Sequence, residues 1–358
     1  MSLFTRKIRT AEHPSLKPSV FLIGCVDARL DTDHDIGFPD GSAYIARSIA
    51  AIIPAYDVND PASVNFSAQL DTAMAGGVKH IVNMGHTHCG GINACACGLE
   101  QEKFPNIIQH LKPLEGLKKQ LGHAHDEETL RHFERESVRQ NIVHLLQYPQ
   151  VQQAVAAGKL DVNGWVINTA THQISAMSPM DPLADFKPLQ PIAEITHNDD
   201  ALEHVRLKQS NLKKAKEPPA HKPTMAVFAD MDASINPRSD FNIHYGDALI
   251  YRNNIDINNP SLVTSQLATL EFAAKAHNIK KIVMMGHYDS REPHAKELAL
   301  EEAKKRFTRL KKVPFIEDDK RIKLSCWYID VATNHLFKLE EQAPSFRPMS
   351  NQKRFDFK

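Results

Sequence analysis

The sequence predicts an α/β protein built twice: two tandem domains, each a mainly parallel sheet flanked by helices. Three observations carry that expectation. Short apolar, β-branched runs alternate with helical stretches, the pattern of a parallel sheet with helical crossovers. Four segments of the first half recur in the same order in the second. Residues able to do chemistry collect just past strand ends, where open parallel sheets place their sites at a topological switch point.

Residues 19–24 form an apolar run ending at Cys25, which reads as a buried strand. Residues 43–47 read as a second strand, and 63–75 as a helix closed by Gly76-Gly77. Residues 79–85 read as a third strand that delivers His86 at its C-terminal end. Two amphipathic helices are expected over 106–121 and 126–147, then a strand over 162–167. From 178 to 224 prolines and charges dominate, with Pro179, Pro182, Pro188, Pro191 and Pro218-Pro219 marking a linker around a helix at 199–216. The pattern then restarts. Residues 224–234 parallel 19–29, 245–252 parallel 40–47, 280–287 parallel 79–86, and 326–331 parallel 164–169. This gives three parts: a first domain at 1–177, a linker with the leading helix of the second copy at 178–223, and a second, shorter domain at 224–358.

The chain has 358 residues, enough for two domains at roughly 100–200 residues each. Its 43 basic and 43 acidic residues balance, so nothing points to nucleic acid. No apolar run approaches the ~18 residues that span a bilayer, and the first residues lack an apolar signal core. A cytoplasmic protein is expected. The five cysteines, Cys25, Cys89, Cys95, Cys97 and Cys326, are too few and odd in number for a disulfide framework. Cys326 lies in an apolar run and reads as a small buried residue.

Cys25 and Cys89 offer two sulfurs and His86 an imidazole, the donor types zinc prefers. Three protein ligands leave one position open, as catalytic zinc sites do. Cys95 and Cys97 stand two apart on a presumed helix, so they face different ways and do not join one tetrahedron. In the second copy Cys25 becomes Asp230, Asp27 stays as Asp232, Arg29 becomes Ser234, His86 stays as His287 and Cys89 becomes Ser290. Both thiolates are gone. The expected reading is a remnant site, against an alternative in which Asp230, Asp232, His287 and Asp289 weakly hold a harder divalent ion.

Cys25-Val26-Asp27-Ala28-Arg29 and His86-Thr87-His88-Cys89-Gly90-Gly91 resemble the two signatures of the β-class carbonic anhydrases. The likeness covers most of residues 15–175 and recurs weakly across 222–340. It implies two tandem β-carbonic-anhydrase-like domains and zinc held by Cys25, His86 and Cys89, one ion per chain in the first copy. It also implies an Asp27–Arg29 dyad as catalytic pair, with Asp27 as an alternative fourth ligand. The implied reaction is the reversible hydration of carbon dioxide to bicarbonate and a proton, with His88, His34 and His123 as candidate proton carriers. Active sites at dimer interfaces in that family imply an internal pseudo-dimer here, two copies related by a pseudo-two-fold with one competent site, the second copy supplying the wall that faces the metal. Further pairing of chains is compatible with this. Two departures bear on substrate binding. Where many members have Arg-Asn-Ala-Gly-Asn this chain has Arg47-Ser48-Ile49-Ala50-Ala51, and Leu16 stands where plant-type members carry a glutamine. The alternatives are a zinc-containing scaffold or binding protein descended from the enzyme, and a hydrolase of carbonyl sulfide or carbon disulfide.

Overall fold

The computed structural model describes residues 18–32, 36–177, 185–197, 200–212, 221–241, 243–253, 264–339 and 345–349. In the first half β1 is Val20–Cys25, β2 Ala43–Ser48, β3 His80–His86, β4 Asp161–Ile167, β5 Ile174–Met177 and β6 Lys187–Pro188. In the second, β7 is Met225–Asp230, β8 Ala248–Asn253, β9 Lys281–Tyr288, β10 Lys323–Asp330, β11 His335–Leu339 and β12 Phe346–Pro348. Among the described residues these strands form one sheet, ordered β12-β11-β10-β9-β7-β8-β2-β1-β3-β4-β5-β6. Read inward from either edge, the two halves follow the same order.

Within each half the central strands are parallel and the outer hairpins antiparallel. The halves meet where β2 and β8 run antiparallel, with Arg47 opposite Arg252. Two backbone bonds flank that seam in matching positions, each 3.0 Å long: Ile45 N to Met231 O and Ile250 N to Val26 O.

Side-chain alternation explains why the sheet is covered on both faces. Leu22, Met84 and Trp165 point into one apolar layer that continues through Phe228, Met284 and Tyr328. Phe21, Ile23 and Ile81 point the other way, into a layer with Ile142 and Leu145 of the helix Glu127–Leu145. That helix starts where Asp126 accepts from the Thr129 amide, an N-cap strengthened by Glu127 and Glu128 in the first turn.

The helix expected over 106–121 is broken in two. Pro105–Leu111 and Glu115–Leu121 are helical, and a tight turn at Lys112–Leu114 joins them, because Pro113 has no amide to continue the ladder. The helix expected at 199–216 runs from Ala201 to Ser210, and the expectation at 199 and over 213–216 lies outside the described residues.

β1 is flanked by β2 on one side and β3 on the other, so the chain reverses its winding direction at β1. Cys25 closes β1 and His86 closes β3. The crevice between those two ends is the switch point that the sequence pattern anticipates.

Candidate metal centre

A buried arginine fixes the backbone after β1. Arg47 donates from Nε to Cys25 O at 2.7 Å and from Nη2 to Asp27 O at 2.8 Å. Arg252 repeats the same clamp in the second half, to Asp230 O at 3.0 Å and Asp232 O at 2.8 Å. Beyond Arg47 the chain enters left-handed backbone at Ala50 (φ 58°) and Ala51 (φ 53°). These are the positions where the resembling pattern has glycine and asparagine, residues that tolerate that region. Alanine is held there by a buried amide network: Asn83 Nδ2 and Asn141 Nδ2 both donate to Ala51 O, at 2.8 and 3.1 Å.

The turn after β3 brings Cys89 beside Cys25. His88 takes the left-handed conformation (φ 59°), and Cys89 is the N-cap of the helix Gly90–Cys97. Gly91 is required by close packing and not by an unusual φ. A Cβ there would lie 2.5 Å from Ile49 Cγ2 and 3.1 Å from Ala50 Cβ. Gly91→Ala is expected to lower stability by about 1–3 kcal/mol, read as a drop in thermal midpoint, because the helix carrying Cys89 must move off its support.

The donor atoms of Cys25, His86 and Cys89 all lie within 4.8 Å of one another, and all three residues are buried. The two sulfurs are 4.0 Å apart. His86 Nδ1 is 3.0 Å from Thr87 O, an orientation in which Nδ1–H donates and Nε2 is the atom turned toward the sulfurs. That Nε2 is buried with no hydrogen-bond partner. Two sulfurs and an unpartnered imidazole nitrogen make a donor set that fits zinc. Burial alone would raise the Cys25 thiol, but its hydrogen bond with Cys89 and the charge of His86 hold it well below its ordinary value. The same sulfur contact, with burial, pushes Cys89 well up. Burial would depress His86, yet Cys25 and Asp27 hold it up at about 9.

Asp27 is turned to Arg29. Arg29 Nε donates to Oδ1 at 2.9 Å and Nη2 to Oδ2 at 2.7 Å, a bidentate fork, while Nη2 also reaches His88 O at 2.9 Å. Burial would raise the Asp27 carboxyl, but the Arg29 hydrogen bonds and the charge of His86 hold it well below the usual carboxylate range. Asp27 Oδ2 stays 3.9 Å from His86 Nε2 and is not one of the three clustered donors.

The proton-carrier candidates fare differently. His88 is exposed and 3.1 Å from Glu127. His123 lies on an exposed loop, and His34 falls outside the described residues. Cys95 is buried against Leu114 O and Cys97 is exposed beside Asn93, and neither joins the donor cluster. Cys326 is buried in β10, as expected of a small core residue.

Sequence reasoning missed four groups around the centre. Glu134 is 1% exposed and accepts from the Cys89 amide at 2.9 Å, fixing the start of that helix. Its signal was a glutamate on the apolar face of the helix Glu127–Leu145. The other three come from the second half. His221 Nε2 lies 3.7 Å from Asp27 Oδ2. His277 stands edge-on to His221, ring centroids 5.0 Å apart, and edge-on to Phe272 at 4.5 Å. Phe272 in turn faces Gly90. Burial pushes both histidines down, His277 to about 4, where the neighbouring His221 adds to the effect. The loosened π-type turn Phe272–Ala276 sets Phe272 and His277 in place, with His277 N donating to Phe272 O at 3.1 Å.

The matching place in the second half holds a guanidinium. Arg306 Nη2 donates to Asp230 Oδ1 at 3.0 Å and also pairs with Glu302. His287 stands 3.7 Å from Asp230 Oδ2, Asp289 is held by Arg291, and Ser290 donates its amide to Asp330. The alternative of a hard divalent ion on Asp230, Asp232, His287 and Asp289 therefore meets a resident cation and a carboxylate already paired elsewhere.

The family model described as carbonic anhydrase matches residues 20–174. Over these residues the chain is similar to β-carbonic anhydrases. Two β-carbonic anhydrases of Arabidopsis thaliana, the mitochondrial form 6 and form 3, are 27% and 28% identical to the chain over 157 residues. Each alignment covers 42% of this chain, with 53% and 60% of the plant proteins. A carbonic anhydrase of Pseudomonas aeruginosa is 26% identical over 163 residues, 45% of this chain and 73% of that one. The chain thus spans little more than half the length of the plant relatives. Among solved structures, the β-carbonic anhydrase CcaA superposes with a TM-score of 0.44 at 22% identity, over 48% of this chain and 84% of that one. The matched range contains β1, β3 and the turn after β3, the elements that carry the clustered donors. No helix among the described residues is long and apolar enough to cross a membrane.

Proposed function

We propose that the chain catalyses the reversible hydration of carbon dioxide to bicarbonate and a proton, on one zinc ion held by Cys25, His86 and Cys89. The observation that carries this reading is the buried donor trio beside an aspartate committed to arginine. With Asp27 turned away, three protein donors face one another and a fourth position is left for exchange, the arrangement of catalytic zinc. Zinc held there supplies a Lewis acid that makes water nucleophilic near neutral pH. The protein's own groups do the rest. His86 is fixed in the tautomer that presents Nε2. Asp27 is an anionic acceptor that orients an O–H group, and Arg29 holds it in register. Phe272 and the edges of His277 and His221 give an apolar wall suited to an uncharged linear substrate.

The same reading takes the chain as a duplicated unit acting as an internal pseudo-dimer, with one competent centre. The palindromic strand order, the paired Arg47 and Arg252 clamps and the matched seam bonds support it. The second half gives up metal binding and furnishes a wall. A cytoplasmic setting and further pairing of chains belong to the same proposal.

The test is metal content together with stopped-flow hydration of carbon dioxide. One zinc per chain and zinc-dependent hydration are expected. One zinc with no hydration between about pH 6 and 9 rejects the enzyme. Two zincs per chain reject the account of the second half.

A further inference from the structure

A cavity of about 500 Å³ lies at the seam, apart from the donor trio. Ile23, Ala46, Ile52 and Phe66 of the first half and Asn253 and Ser265 of the second line it, so neither half forms it alone. That volume suits an organic molecule of about 20 heavy atoms and far exceeds what a lone small ion needs. Its polar groups narrow the chemistry. Asn253 is 5% exposed, and its Oδ1 has no hydrogen-bond partner among the described residues. The other branch of that amide is committed: Nδ2 donates to Tyr251 Oη at 2.6 Å and to Asn65 Oδ1 at 3.2 Å. A buried acceptor left unmet at a cavity wall calls for a ligand N–H. Arg47 and Arg252 also line the cavity. Each donates to backbone carbonyls, Arg47 to Cys25 O and Asp27 O, and Arg252 to Asp230 O, Asp232 O and Ile235 O. Those bonds lie in the guanidinium plane. What each arginine can still offer is a flat cationic face, which suits an aromatic ring better than an anion. On the open side stand Asp57 and Lys112, both exposed, with Asp60 half-buried beside them. Two carboxylates against one ammonium accept ligand hydroxyls, as carboxylates do for ribose, and oppose a phosphate.

We propose that the seam cavity binds a purine nucleoside. Its exocyclic amine donates to Asn253 Oδ1, its ring lies against the arginine faces and the apolar wall, and its ribose hydroxyls donate to Asp57 and Asp60. This does not rest on the hydration reading, since none of Cys25, His86 and Cys89 lines the cavity.

The experiment is isothermal titration of the full chain, loaded with zinc, by adenosine, adenosine monophosphate and purine riboside, which lacks the exocyclic amine. Adenosine should bind with a Kd of about 0.1 mM. Purine riboside should bind about tenfold more weakly, and adenosine monophosphate severalfold more weakly. Asn253→Ala should remove the preference for adenosine over purine riboside. Asp57→Asn should bring adenosine monophosphate closer to adenosine. Ala46→Leu, which narrows the cavity, should abolish binding, with thermal unfolding showing that each variant is folded. Asp57 is exposed, so its variant reads the site even where a buried substitution fails to fold. No saturable heat from wild type up to about 1 mM adenosine overturns the proposal. So does equal affinity for adenosine and purine riboside. Tighter binding of adenosine monophosphate than of adenosine also overturns it, since the arginines would then hold an anion. Undiminished binding by folded Ala46→Leu places the nucleoside elsewhere and overturns the assignment of the cavity.

Discussion

Cys89→Ser should leave the chain folded but bind zinc more than about 100-fold more weakly, with hydration falling to the buffer background. Loss of a group that only orients a ligand already costs roughly 10–100-fold in affinity, and a direct donor costs more. A neutral hydroxyl is a poor substitute for a thiolate, which carries charge as well as softness. The fold has already made this exchange once, since Ser290 stands at the corresponding place in the second half. There the serine amide is satisfied by Asp330 and the strand ends persist, so the scaffold does not depend on the sulfur. Cys95→Ser and Cys97→Ser are the controls and should keep the metal, because neither sulfur joins the cluster. Metal analysis after dialysis against a competing chelator, with thermal unfolding to confirm folding, reads the result. Full zinc retention by Cys89→Ser would remove Cys89 from the ligand set and with it the proposed centre.

The sequence made the strand ends legible and left the walls of the site hidden, for a physical reason. Cys25, Asp27, Arg29, His86 and Cys89 belong to short continuous motifs, and the apolar runs before them show that they sit at β-strand ends. His221, His277 and Phe272 reach the centre only because β2 pairs with β8 and swings the second half over the first. No local pattern records that. Arg47 opened a recognisable segment, but its work as a carbonyl clamp depends on how the chain turns after Cys25, which side-chain chemistry alone does not fix. The break at Pro113 is the opposite case: proline forbids a continuous helix, and the apolar periodicity of 106–121 hid it. Gly91 serves a close approach to Ile49 and Ala50, two residues far from it in sequence, so no local pattern shows why glycine is needed there.

Arg306→Met should destabilise the second half by about 3–5 kcal/mol at neutral pH, the usual cost of stripping one partner from a buried ion pair. Arg306 is 4% exposed and faces Asp230 and Glu302, so its loss leaves carboxylate charge buried without a counter-ion. The pH dependence follows from the direction of the Asp230 shift. Burial would raise that carboxyl, but Arg306 and His287 hold it below its ordinary value in the native chain. A depressed native pKa contributes stability above the unfolded value, near 4, and that contribution is lost as pH falls through the native value. Without Arg306, burial dominates and the native Asp230 pKa rises above the unfolded one. The penalty should therefore be full in mildly alkaline solution and shrink as acid protonates Asp230. Trp165 and Trp327 lie in β4 and β10, one in each half, so a Trp165→Phe background makes fluorescence report the second half alone. Urea midpoints on that background should fall further for Arg306→Met at pH near 8 than at pH near 5, and Asp230→Asn added to Arg306→Met should return much of the loss. An equal penalty at both values would mean that Arg306 acts through packing alone, and that the second half did not exchange its metal for a fixed cation.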